Sequence, residues 1–196
     1  IRAEHEPQKF EGWMHLNGYA SHTPTSDGER VYVHFGNSGV EAYDLDGKQV
    51  WHTAVGENIS AYGSAGSHMI YGDLLIVNAS IESERILALN LSDGRIRWEA
   101  GAAKHSYASP LVAWVRDHHE VIIPVERESI IAVNADTGKR LWNWAGQKNN
   151  RYICASPILA NGIVYGTGWM DGPLGAMRPG GGGDMSESHQ DWRETN

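Results

Sequence analysis

Apolar residues along this chain come in short bursts, not in long stripes. Arg30-Val31-Tyr32-Val33-His34-Phe35, Leu74-Leu75-Ile76-Val77, Val121-Ile122-Ile123-Pro124-Val125 and Ile163-Val164-Tyr165 are each a few residues long and rich in β-branched and aromatic side chains. Turn-forming residues such as Asp27-Gly28 and Asn161-Gly162 lie between them. No long stretch repeats apolar residues at the i, i+3, i+4, i+7 spacing of an amphipathic helix. Short strands punctuated by turns predict an all-β chain.

The bursts belong to a repeat. Ala42-Tyr43-Asp44-Leu45-Asp46-Gly47 leads to Trp51, Ala88-Leu89-Asn90-Leu91-Ser92-Asp93-Gly94 to Trp98, and Ala132-Val133-Asn134-Ala135-Asp136-Thr137-Gly138 to Trp142. Trp follows Gly by four residues in each case. A degenerate fourth copy opens near Ala176, contains the Gly180–Gly183 run and ends at Trp192. A second landmark keeps the same period: Tyr19, Tyr62, Tyr107 and Tyr152, each followed by small residues. A period of 40–50 residues belongs to propellers and similar arrays. One unit reads as four antiparallel strands, with Gly in the hairpin turns because it accepts positive φ. The approximate units are 19–56, 62–103, 107–147 and 152–196, within one region spanning 1–196. A small Ala at a fixed distance from each Trp suggests an indole from one unit docking over the small residue of the next.

Composition narrows the function classes. The chain of 196 residues carries a formal charge of −8, which argues against nucleic-acid binding driven by counterion release. It has no apolar run long enough for a membrane-spanning helix. Its single cysteine, Cys154, can form no internal disulfide and no Cys-x-x-Cys site, and reads as a small packed apolar residue. The first residue, Ile1, and the absence of a closing signal around Trp192 suggest part of something longer. Gly180–Gly183 lacks the Gly-Lys-Ser/Thr of a phosphate loop and reads as a flexible edge loop. His118-His119 reads as a polar hairpin tip, and no His-x-His or HExxH motif occurs. The sequence therefore assigns neither a metal site nor a catalytic residue, and a metal or redox-site carrier built on histidines is the weakest of the readings it leaves.

The Ala-x-Asp/Asn-x-x-Thr-Gly-x-x-x-Trp pattern resembles the tryptophan-docking motif of the PQQ-like β-propeller repeat family, over roughly residues 13–192. That family includes quinoprotein dehydrogenases and BamB-like outer-membrane assembly proteins. The resemblance implies four-stranded blades, about four of them, as an arc of a seven- or eight-bladed ring. The ring would be completed by the remainder of a longer propeller or by a second copy of the chain. It makes Trp51, Trp98, Trp142 and Trp192, Ala42, Ala88, Ala132 and Ala176, and Gly47, Gly94 and Gly138 structural docking residues. It places the segments after the repeated Tyr residues on a ligand or partner face around a central channel, which nominates His22, His68, His105, Tyr107, Arg151 and Tyr152. It implies a non-catalytic, periplasmic or otherwise extracytoplasmic scaffold that binds other proteins and needs no cofactor. The alternative is a fragment of a PQQ-dependent alcohol or sugar dehydrogenase with PQQ and calcium. The vicinal cysteine pair of such enzymes is absent here.

Overall fold

A computed structural model describes residues 21–101, 103–126, 129–145, 153–167 and 174–194. The chain folds into successive sheets, each built on four strands that pair antiparallel in sequence order. The first blade holds β1 (Thr25–Ser26), β2 (Arg30–His34), β3 (Val40–Asp44) and β4 (Gln49–Thr53). The second holds β5 (Met69–Tyr71), β6 (Leu74–Ala79), β7 (Arg85–Asn90) and β8 (Ile96–Ala100). The third holds β9 (Leu111–Val115), β10 (His118–Val125), β11 (Ser129–Asn134) and β12 (Arg140–Trp144). The fourth holds β13 (Ile158–Ala160), β14 (Ile163–Thr167), β15 (Leu174–Met177) and, after β16 (Gly183–Asp184), β17 (Gln190–Glu194). The first strands of neighbouring blades touch, β5 against β9 and β9 against β13. The sheets therefore converge at their first strands and stack face to face, as the blades of a partial β-propeller do.

Stacking explains why the apolar bursts fail to alternate. In β6, Leu75 and Val77 join Tyr32, Val40 and Trp51 of the first blade, while Leu74 and Ile76 face Val121, Ile123 and Val133 of the third. In β10, Ile122 turns instead toward Trp142, Val164 and Met177. A strand buried on both faces reads as a continuous hydrophobic run.

The role expected of the alanines needs correction. Ala42, Ala88, Ala132 and Ala176 lie directly opposite Trp51, Trp98, Trp142 and Trp192 on the neighbouring strand of their own sheet. In all four blades the register shifts immediately after the Ala, the mark of a β-bulge. What the indole meets in the next blade is glycine. A Cβ on Gly94 would stand 2.6 Å from Cε3 of Trp51, and one on Gly138 would stand 2.6 Å from Cε3 of Trp98. Trp51 Nε1 donates to the Leu91 carbonyl and Trp98 Nε1 to the Ala135 carbonyl, each at 2.9 Å. Thr53 Oγ1 adds a hydrogen bond to the Gly94 carbonyl. Gly47 closes the corresponding turn of the first blade with its N–H on the Asp44 carbonyl.

The third boundary departs from this scheme because the fourth motif is degenerate. Trp142 Nε1 turns back to Glu120 Oε2 at 2.8 Å, within its own sheet. Trp144 takes over the contact, its ring end 2.4 Å from where a Cβ on Gly175 would lie. Trp192 is 40% exposed and docks on no described blade. The Gly180–Gly183 segment is not a flexible edge loop: Gly183–Asp184 pairs in parallel with β12, and Met185 is fully buried beside Trp142. Glycine is required there because Gly180 and Gly183 adopt positive φ.

Serines on the segments before the first strands join the blades a second time. Thr23 N–H donates to Ser67 Oγ, Ser67 N–H to Ser109 Oγ, and Ser109 N–H to Ser156 Oγ. Cys154 is exposed, not packed, and desolvation pushes its thiol up, away from the thiolate form.

Gly94→Ala and Gly138→Ala each combine left-handed backbone strain with a methyl group driven into an indole, and should each cost about 2–4 kcal/mol. Gly28→Ala, also at positive φ but facing open space, should cost only about 1–2 kcal/mol, the backbone strain alone. Urea unfolding of the three variants checks the ranking; equal losses would mean that the indole contact carries no weight.

Candidate functional site

The described residues gather one buried cluster of titratable side chains, at the boundary of the first two blades. His22 precedes β1, and His34 is the last residue of β2. The alternation Tyr32-Val33-His34 turns His34 to the same buried face as Tyr32, and both are fully buried. Ser64 and His68 come from the segment that leads into β5, and Glu82 from the turn between β6 and β7. That turn is tightly held. Its Ser83 N–H bonds the Ala79 carbonyl, Asn58 N–H bonds the Glu82 carbonyl, and Gly56 lies so close that a Cβ there would stand 2.2 Å from the same carbonyl oxygen. Only glycine fits, both for that approach and for its φ of 140°. Ser80 and Asn78 bind the turn's base to the third blade through the Ser106 and Ala108 carbonyls.

The His22 and His34 rings stack at 4.0 Å between centroids. His34 Nε2 lies 3.8 Å from Glu82 Oε1. His22 Nε2 bonds the Ser64 hydroxyl at 3.0 Å, and His68 Nε2 donates to the Tyr32 carbonyl at 3.0 Å. Those bonds leave Nδ1 of His22 and of His68 buried without a hydrogen-bond partner, together with both nitrogens of His34 and both oxygens of Glu82. Burial, with the charge of His68 adding to it, holds His22 down at about 4. Burial and the two neighbouring imidazoles hold His34 well below the usual histidine range. Desolvation also lowers His68. It pushes Glu82 up to about 7, with the nearby Ser64 hydroxyl offsetting part of the rise. At neutral pH the cluster presents neutral imidazoles with free lone pairs beside a carboxyl poised between its two forms. One nitrogen each from His22 and His34 and one oxygen from Glu82 lie within 4.8 Å of one another, the donor set of a metal site.

Of the six nominated face residues, the structure therefore brings His22 and His68 together, but buried between blades and not lining an open channel. His105 stands apart at the second boundary, half-exposed, with Nδ1 2.6 Å from Glu126 Oε2. Tyr107 is buried, with its hydroxyl on Ser60 Oγ and its N–H on the Ile153 carbonyl. Arg151 and Tyr152 lie outside the described residues. His118 and His119 both sit in β10 on opposite faces. His118 meets Asp117 and Glu120, while His119 meets the Tyr71 ring at a tilt and the Trp114 ring edge-on. The sequence reading missed His34 and Glu82. The signal for His34 was its position on the apolar face of β2; Glu82 had no local signal, because only the docking of the two blades buries it.

Glu82→Gln should stabilise the metal-free protein, by an amount that depends on pH. The Glu82 carboxyl has a higher pKa folded than unfolded, so its contribution to stability falls as pH rises from about 4.5 to about 7. The histidine contributions are common to both proteins. The gain of Glu82→Gln should be near zero at pH 4.5 and on the order of 1–3 kcal/mol above pH 7. Denaturant titrations in a chelating buffer across that range check it; a gain independent of pH would rule out the buried ionisation.

The comparisons with known proteins agree with the architecture. The family model described as outer membrane protein assembly factor BamB matches residues 11–182. The outer membrane protein assembly factor BamB of Burkholderia pseudomallei (strain K96243) is 30% identical over 166 residues, covering 84% of this chain and 39% of that protein. The chain thus spans about two fifths of the length of that curated relative. The crystal structure of BamB from Moraxella catarrhalis superposes with a TM-score of 0.61 at 18% identity, over 89% of this chain and 48% of that one. Quinohemoprotein alcohol dehydrogenase from Comamonas testosteroni superposes with a TM-score of 0.65 at 14% identity, over 91% of this chain and 36% of that one. At such identities the two structures establish the propeller fold alone. The indole-on-glycine docking repeated between blades and the match over most of the chain lead to one conclusion: this chain belongs to the BamB family of PQQ-like β-propeller proteins.

Proposed function

We propose that the chain is part of a non-catalytic, extracytoplasmic scaffold for outer-membrane protein assembly, whose blades bind a protein partner. The observation that carries this reading is the 30% identity to an outer membrane protein assembly factor across 84% of the chain. The surface is in keeping with it. Trp114 on β9 and Ile158 on β13, two first strands that touch, are each 60% exposed, an apolar presentation suited to another polypeptide. The remaining blades of a longer propeller are the natural cover for the open flanks of the arc. No helix among the described residues is long and apolar enough to cross a membrane. The dehydrogenase alternative gains no support from the side chains. With Cys154 as its single cysteine, the chain cannot supply a vicinal pair.

The test is genetic. In the source cell, deleting the gene should lower the amount of folded β-barrel protein in the outer membrane, and the wild-type gene should restore it. A Trp114→Glu, Ile158→Glu double variant should restore it poorly at an equal level of the variant protein. Unchanged outer-membrane protein levels, with loss of quinone-dependent alcohol oxidation instead, would overturn the assignment.

A further inference from the structure

We propose that His22, His34 and Glu82 form a binding site for a divalent transition metal of the zinc class, which joins the first blade to the second. Two imidazole nitrogens and one carboxylate oxygen are the donor set that zinc favours and that calcium and magnesium, which take all-oxygen shells, do not. The three donor atoms already lie within 4.8 Å of one another. Ligand atoms about 2.0–2.2 Å from a tetrahedral zinc stand roughly 3.3–3.5 Å apart. The 3.8 Å between His34 Nε2 and Glu82 Oε1 needs to close by only a few tenths of an ångström.

The site is built as a metal site is built. His34 and Glu82 side chains are 0% and 1% exposed, and none of their polar atoms has a hydrogen-bond partner among the described residues. Buried polar atoms without partners are costly, and an ion that takes a lone pair from each donor removes that cost. The hydroxyl of Ser64 bonds Nε2 of His22 and fixes the ring. The clamped turn at Gly56 holds Glu82 in place before any ion arrives. A cleft of about 440 Å³, lined by Val55, Gly56, Asn58 and Glu82 among others, brings solvent to the same turn. The competing cluster at His118, the first residue of β10, offers a single imidazole, with Nδ1 on Asp117 at 2.8 Å and Nε2 3.3 Å from Glu120. It lacks the two orphaned imidazoles.

The experiment uses the full chain, stripped with a chelator and then given zinc alone. About one zinc per chain should bind with a Kd below roughly 1 μM. His34→Gln and Glu82→Gln should each weaken binding by about 100-fold or more, while His105→Gln and His118→Gln leave it unchanged. Zinc-edge X-ray absorption on the wild-type protein should show a four-coordinate shell containing two imidazoles, which keeps the proposal testable even where a variant folds poorly by circular dichroism. Failure to bind zinc stoichiometrically, an all-oxygen shell, or binding that follows His118 instead of His34 and Glu82 would each overturn it. None of these outcomes bears on whether the chain assembles outer-membrane proteins, so the two readings fail separately.

Discussion

Everything in this molecule depends on an indole lying flat against a glycine of the next blade. A four-stranded sheet has two apolar faces and cannot bury either alone. Trp51 and Trp98 solve this by covering Gly94 and Gly138 and giving their N–H groups to carbonyls of the same turns. The contact combines a large buried apolar surface with a directed hydrogen bond, so it fixes register as well as adhesion. The Ala across from each Trp belongs to the same sheet as its Trp and sits at the register shift of that strand pair. Once the blades are held at that distance, the first strands converge, the serine ladder closes, and the faces of β6 and β10 are sealed on both sides.

This division explains how much was legible in the sequence. The repeat period, the four-stranded unit and the docking Trp and Gly positions are encoded locally, each by a residue whose type is dictated by its own backbone or its own strand. The partner of each Trp was not, because Ala and Gly are both small and both at fixed spacing; only the stacking distance distinguishes them. The Gly180–Gly183 run could not be read either. Its role is to add a strand to the outer edge of the third blade, a non-local pairing that glycine-rich sequence does not announce. His22 and His68 were legible as chemically interesting, but not as buried, since their burial depends on the next blade.

The fourth repeat shows what happens when the motif decays. Trp142 keeps its place opposite Ala132 but loses the carbonyl that Trp51 and Trp98 use. The chain compensates twice: Trp144 covers Gly175, and Glu120 accepts the stranded indole N–H. A buried carboxylate here has a structural task. Desolvation raises its pKa, while Trp142 and His118 pull it back down.

Glu82 makes the contrast that gives the first boundary its significance. It is as deeply buried as Glu120, in the same kind of interface, and desolvation raises its carboxyl too. Yet no indole or arginine among the described residues bonds its oxygens, and only the nearby Ser64 hydroxyl and its own backbone N–H pull the carboxyl back down. The motif at its boundary is intact, with Trp51 docked on Gly94, so the carboxyl repairs nothing. Packing would be better served by an apolar residue at that position, and the neighbouring imidazoles would be better served by hydrophobes than by one another. A fold that builds its blades from indole, glycine and alanine has no mechanical use for two stacked histidines and an unpaired glutamate. The same three side chains make sense together as donors.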